Sequence, residues 1–208
     1  MGYPLLDFAG HFCWAGWAGV LFLPIANRSS EHHRYTVVPM PKYVALLRAV
    51  NVGGGGKLPM TKLKSMCESS GFLNVRTYIA SGNVVFESKL PEAAVKKKLE
   101  RCMATYAGKP VEVMVRTGAE MAAVLAGNPF KSRPTNSTVA IFLDERPPKD
   151  TFKTVTGQGT EEVALGAREI YVHYREGMGR SKLKIPAAKR GTARNMNTIA
   201  KLAEWASG

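Results

Sequence analysis

The chain has 208 residues, 45% of them hydrophobic and 22% charged, with 20 Gly and 12 Pro. This composition excludes collagen-like, disordered and disulfide-scaffold classes and allows one large domain or two small ones. Lys and Arg total 29 against 16 Asp and Glu, a formal net charge of +13, so an anionic partner is the first expectation.

The opening residues differ from the rest. Residues 8–26 form a mostly apolar run broken by His11 and holding Trp14 and Trp17. No Lys or Arg precedes it, Asp7 stands where a signal peptide is positive, and its glycines suit a helix poorly, so a membrane partner is disfavoured. Residues 1–39 are expected to be a disordered extension or the product of a misassigned start. Arg28 and Arg34 balance Asp7 and Glu31 there, so the whole +13 lies beyond residue 39.

Residues 42–50, KYVALLRAV, form a short apolar run before a glycine tract and read as a buried central strand. Pro59 opens a helix carrying Leu63, Met66 and Cys67 on one face until Gly71. The runs 75–80 and 84–88 are β-rich and joined closely at Ser81, Gly82 and Asn83, which predicts a hairpin. Pro91 starts a second helix with Val95, Leu99, Cys102, Met103 and Tyr106 on one stripe. Gly108 ends it, and 111–116 is a fourth strand. The order βαββαβ is that of a ferredoxin-like unit, an antiparallel sheet with both helices on one face.

A helix over 119–126 and the turn at 128–130 lead to a second, less regular half. It is predicted to contain a strand at 138–145, a helix at 148–155, a strand pair at 161–167 and 168–174, and a final helix over 192–206. The predicted fold class is therefore α+β: two ferredoxin-like units with antiparallel sheets, at 40–130 and 131–208, plus the N-terminal extension.

Cys13, Cys67 and Cys102 form no CxxC pair, which excludes a zinc ribbon or disulfide framework and points to a reducing cytoplasm. Cys67 and Cys102 fall on apolar helix positions and read as structural thiols. HExxH and GxSxG are absent, and His173 is the one histidine beyond residue 39, in a strand-like run that suggests a hydrogen-bonded core residue. Ser181 and Lys184 match SxxK without an accompanying SDN or KTG. No cofactor or metal motif is present.

Asn51, Gly53, Gly54 and Lys57 belong to a glycine loop between strand and helix, where free N–H groups can hold a phosphate. It matches neither a Walker loop nor GxGxxG, and a flexible crossover is the alternative. Sheet-based RNA recognition is disfavoured, because Asn83 and Val85 stand where stacking rings belong and only Tyr43 remains.

Charge is concentrated late in the chain. Between 175 and 201, Arg175, Arg180, Lys182, Lys184, Lys189, Arg190, Arg194 and Lys201 face Glu176 alone, eight cations against one anion. A tight turn delivers Arg180, Ser181 and Lys182, while Arg194, Asn195 and Asn197 gather where a helix is expected to begin. Both segments suit an anion; a solvated basic face is the alternative.

The runs YVALLRAVNVGG, KLPMTKL, GFLNVRTYIASGNVVFES, NPF, GRSKL and TARNMNTIAKL, spread over 40–208, resemble a bacterial family catalogued as domain of unknown function 1697. The resemblance implies two ferredoxin-like units and no established activity. The chain departs from the usual family pattern at Gly55 and Gly56, where polar residues are usual, and at Met196, where Trp is usual.

The expected function is binding of a phosphate-bearing small molecule by Arg48, Asn51, Gly53, Gly54, Lys57, Ser81, Gly82, Asn83, Arg180, Ser181, Lys182, Arg194, Asn195 and Asn197. Turns rich in Gly, Ser and Asn leave N–H donors free, and arginine adds a forked charge. Non-specific nucleic-acid binding through 175–201 is the first alternative, and an enzyme acting on a phosphorylated metabolite, with no general base identified, is the second.

Overall fold

The computed structural model describes residues 40–51 and 58–207; the expectations for residues 1–39 and for Gly53, Gly54 and Lys57 lie outside them. The described residues are α+β, with two four-stranded antiparallel sheets and four α-helices.

Strand β1 (Lys42–Leu47) is buried and hydrophobic from Tyr43 onward because both faces are covered. Tyr43, Ala45 and Leu47 meet one layer of side chains, and Val44 and Leu46 another, so the usual polar alternation is lost. It pairs with β3 (Asn83–Glu87) on one side and β4 (Val113–Thr117) on the other, while β2 (Leu73–Tyr78) completes the order β2-β3-β1-β4. Helices α1 (Met60–Ser69) and α2 (Glu92–Ala107) cover the outer face through Leu63, Met66, Val95, Leu99 and Met103. Gly71, at a φ of +81°, closes α1: its N–H donates to Glu68 O and the next N–H, of Phe72, to Cys67 O, the paired bonds of a left-handed helix stop.

Thr117 ends β4 and begins α3 (Gly118–Ala126) in a reciprocal cap: its Oγ1 accepts from Glu120 N at 3.2 Å and its own N–H donates to Glu120 Oε2 at 2.8 Å. In the second half β5 (Thr138–Phe142), β6 (Glu162–Leu165), β7 (Glu169–His173) and β8 (Thr192–Asn195) take the order β6-β7-β5-β8. Position for position this repeats the first sheet, and α4 (Met196–Ala206) follows β8 as α3 follows β4.

Helices α3 and α4 lie between the sheets. Val44, Leu46, Val85 and Met114 meet them from one side, Ala140, Phe142 and Tyr171 from the other. A Cβ on Gly118 would collide with the Ala206 carbonyl, so glycine there lets the two helices approach closely. Met196 is 3% exposed in this core; a flexible side chain fills the space where the resembled family usually has Trp.

Two predicted elements differ. Of the helix expected over 148–155 only a 3₁₀ turn, Thr151–Thr154, forms; the preceding prolines and β-branched Thr151, Thr154 and Val155 disfavour a longer helix. The last helix begins at Met196, because Asn195 has extended backbone and its Oδ1 accepts from Thr198 N at 2.9 Å, capping the helix. The four preceding residues pair with β5 instead. The outer face of the second sheet is covered by irregular chain, with Leu183, Ile185, Ala187 and Ala188 packed on Val139, Ile170 and Val172.

Candidate functional site

The residues expected in one pocket fall into two groups. The first gathers where β1 ends, beside the β2–β3 turn. Arg194 reaches it from β8, on the inner face of the second sheet, and is 7% exposed. Its Nε donates to Asn83 Oδ1, Nη1 to Thr192 Oγ1 and Ala193 O at 2.8 Å each, and Nη2 to Leu47 O at 2.9 Å and Ser81 O at 2.8 Å. All five N–H donors of the guanidinium are thereby used, and burial pushes its pKa down to about 10. Asn83, fully buried, donates Nδ2 to Tyr78 O and Ser81 Oγ, both at 2.9 Å. Gly82, at a φ of +76°, accepts from Leu47 N at 2.8 Å.

The other members of this group are also engaged. Asn51 donates to Leu58 O at 3.0 Å and Ala80 O at 2.7 Å and accepts from Leu58 N at 2.7 Å, tying the two ends of the glycine loop to the hairpin. Arg48 pairs with Glu112 at 2.8 Å and donates to Lys189 O at 2.8 Å. Glu112 also pairs with Arg190 at 2.6 Å.

The second group lies against the second sheet. Arg180, Ser181 and Lys182 line a cleft of about 210 Å³ with Gly157, Gly159 and Gly177. Gly157 has a φ of +65°, and a Cβ there would strike the Lys182 carbonyl, so glycine lets the two segments meet. The cleft already holds two carboxylates, Glu161 and Glu176: Glu161 accepts from Ser181 Oγ and, at 2.6 Å, from Gly159 N, and these hydrogen bonds, Ser181's first, hold its pKa below the usual range. Tyr174, buried at the cleft wall, is raised by burial and then by the Glu161 charge. Among the described residues no carboxylate pairs with Arg175, Arg180, Lys182, Lys184 or Lys189. Asn195 lines an adjoining hollow with Tyr174, Gly177 and Met178, while Asn197 is exposed on the first turn of α4.

His173 is 4% exposed, with Nδ1 3.0 Å from Thr138 Oγ1. Thr138 gives its hydroxyl hydrogen to Pro134 O, so His173 Nδ1 is the donor and the ring is held as a core residue. Among the described residues no cluster of His, Cys, Asp and Glu could hold a metal ion, and no helix is long and apolar enough to cross a membrane.

Sequence reasoning missed a third polar group, at the seam between the sheets. Arg116 on β4 is 1% exposed and donates to Val115 O, Leu143 O and Arg168 O. Arg168 bridges Glu92 at 2.7 Å and Glu120 at 3.0 Å. Glu169, 5% exposed, accepts from Ala167 N, Arg168 N and Tyr171 Oη. The available signal was a repeat: Arg116 precedes the capping Thr117 as Arg194 precedes the capping Asn195.

A family model described as "Protein of unknown function (DUF1697)" matches residues 40–171. A solved structure, that of a conserved bacterial protein from Streptococcus pneumoniae, is similar with a TM-score of 0.69 and 25% identity, over 81% of this chain and 100% of that one. Among curated proteins none matches.

Proposed function

The chain belongs to the DUF1697 family of proteins of unknown function, and on that premise we propose that it binds a phosphate-bearing small molecule in the cleft of Arg180, Ser181 and Lys182. We further propose that it is built as two ferredoxin-like units, 40–130 and 131–208; the support is the strand order common to both sheets. The observation carrying the binding proposal is the convergence around one cleft of three glycines, a hydroxyl and two cations that pair with no carboxylate among the described residues. Glu161 occupies the donors a phosphate would use, as an internal stand-in for the ligand anion.

Thermal-shift titration with pyrophosphate tests this. The melting temperature rises with ligand concentration in the wild type, the rise disappears when Arg180→Ala and Lys182→Ala are combined, and Glu161→Gln tightens binding by removing the competing charge. No shift in the wild type, or an equal shift in the double variant, would sink the proposal.

The exposed cations Arg175, Arg180, Lys182 and Lys184, close together in the sequence, favour a second reading, non-specific binding of single-stranded nucleic acid. Anisotropy with a labelled oligonucleotide at low and physiological salt separates the two: a steep loss of affinity with salt supports it, and a flat response removes it. An enzyme on a phosphorylated metabolite would rely on Glu161 and Glu176; Glu161, its pKa held low, is a weak base near neutrality.

A further inference from the structure

Arg116 and Arg194 hold corresponding places. Each lies on the inner face of the last strand of its sheet, one residue before the cap of α3 or α4. Each donates to the other sheet: Arg116 to carbonyls after β5 and in the β6–β7 turn, Arg194 to carbonyls at the end of β1 and in the β2–β3 turn. They differ in what remains. Arg194 has no donor left, whereas the Arg116 bonds use Nη1 once and Nη2 twice. Its Nε–H and second Nη1 hydrogen have no acceptor among the described residues, although the side chain is almost wholly buried.

A cleft of about 220 Å³ adjoins this guanidinium, walled by Glu120, Ala123, Val124, Glu169 and Tyr171. Donor hydrogens without a protein acceptor, on a residue that lines a cleft, are open to a ligand acceptor. Charge selects the ligand. Among the described residues no carboxylate pairs directly with Arg116, but the surrounding group of Arg116, Arg168, Glu92, Glu120 and Glu169 has two cations against three carboxylates, so an added anion meets net repulsion. Glu169 Oε2 accepts only Arg168 N and has lone-pair capacity for one more donor.

We propose that this seam cleft binds a small neutral ring with an amide edge, its carbonyl oxygen accepting from Arg116 and its N–H donating to Glu169. The site is separate from the Arg180 cleft and does not depend on it.

Saturation-transfer NMR on the full chain tests this with two probes: uracil, a neutral ring with amide edges, and orotate, the same ring carrying a carboxylate. Uracil receives saturation, and orotate binds roughly tenfold more weakly or worse, since one misplaced charge outweighs a hydrogen bond. Ala123 lies exposed on α3 at the cleft wall, so Ala123→Leu fills the cleft without touching the core. It keeps the wild-type melting temperature and loses the uracil signal. Absence of transfer to uracil at millimolar concentration, an undiminished signal in Ala123→Leu, or orotate binding as well as uracil would each overturn the proposal.

Discussion

The two sheets have the same strand order, yet they are covered differently. The first carries α1 and α2 on its outer face, and its central strands are apolar on both sides. The second has irregular chain and 3₁₀ turns in that place. A helical cover satisfies its own backbone and leaves little for a ligand, whereas irregular chain brings turns, glycines and side-chain donors to the surface. The difference explains why Arg180 and Lys182 meet glycines and a hydroxyl at a cleft beside the second sheet, while Arg194 and Asn83 are absorbed into the joint beside the β2–β3 turn.

The sharpest test of that contrast is Arg194→Ala. It takes the arginine donor from Ser81 O and Asn83 Oδ1 and leaves Leu47 O with only Thr192 Oγ1, at 3.4 Å, and a loss of roughly 3 kcal/mol is expected from the unsatisfied groups and a cavity. Urea unfolding measures it; a loss below about 1 kcal/mol would mean that the joint does not depend on this residue. Gly118→Ala comes next. Its Cβ would press on the Ala206 carbonyl and lie 3.2 Å from the Ala206 Cβ, so about 1–3 kcal/mol is expected from overpacking between α3 and α4. The same unfolding experiment checks it, and a neutral result would show that the helix pair can separate freely.

The first half was largely legible in the sequence because its signals are local: Pro59 and Pro91 before helices, Gly71 and Gly108 after them, and two β-rich runs meeting at Gly82. The role of Arg194 was not legible, since its partners Ser81 and Leu47 are more than a hundred residues away and a buried arginine has the same letters as an exposed one. Asn195 was seen as a polar donor near a helix start; only its extended backbone reveals that four residues before the helix belong to a strand. Arg180, Ser181 and Lys182 were identified as neighbours, and the glycines opposite them, 157 and 159, could be joined to them only by folding.

A smaller effect is expected at the seam, and it depends on pH. Burial alone would raise the Glu120 carboxyl, but donation from Thr117 N and Oγ1 and the Arg168 charge together hold it below the usual carboxylate range. A carboxyl with a depressed folded value contributes stability above its unfolded pKa of about 4.3, and the contribution is lost as pH falls through the folded value. Glu120→Gln keeps a capping side chain at this position and removes the charge facing Arg168. The stability difference between wild type and variant is therefore present at neutral pH and closes in acid, as read from urea midpoints against pH. A difference independent of pH would assign the contribution to hydrogen bonding alone.

The smallest stability effect is expected where the largest binding effect is proposed. Arg180 and Lys182 are exposed and no carboxylate among the described residues pairs with either, so replacing both by Ala changes stability by no more than about 0.5 kcal/mol. Removing two like charges from the basic segment would even relieve some repulsion. Pyrophosphate binding, by contrast, loses both of its side-chain cations. This opposite ordering separates the two arginine environments: Arg194→Ala unfolds the joint with its donors already occupied, whereas Arg180→Ala leaves the fold intact and removes an unoccupied donor. If instead the Arg180 and Lys182 double variant proves as destabilised as Arg194→Ala, the irregular cover of the second sheet is held in place by these cations, and the cleft they line is a structural joint.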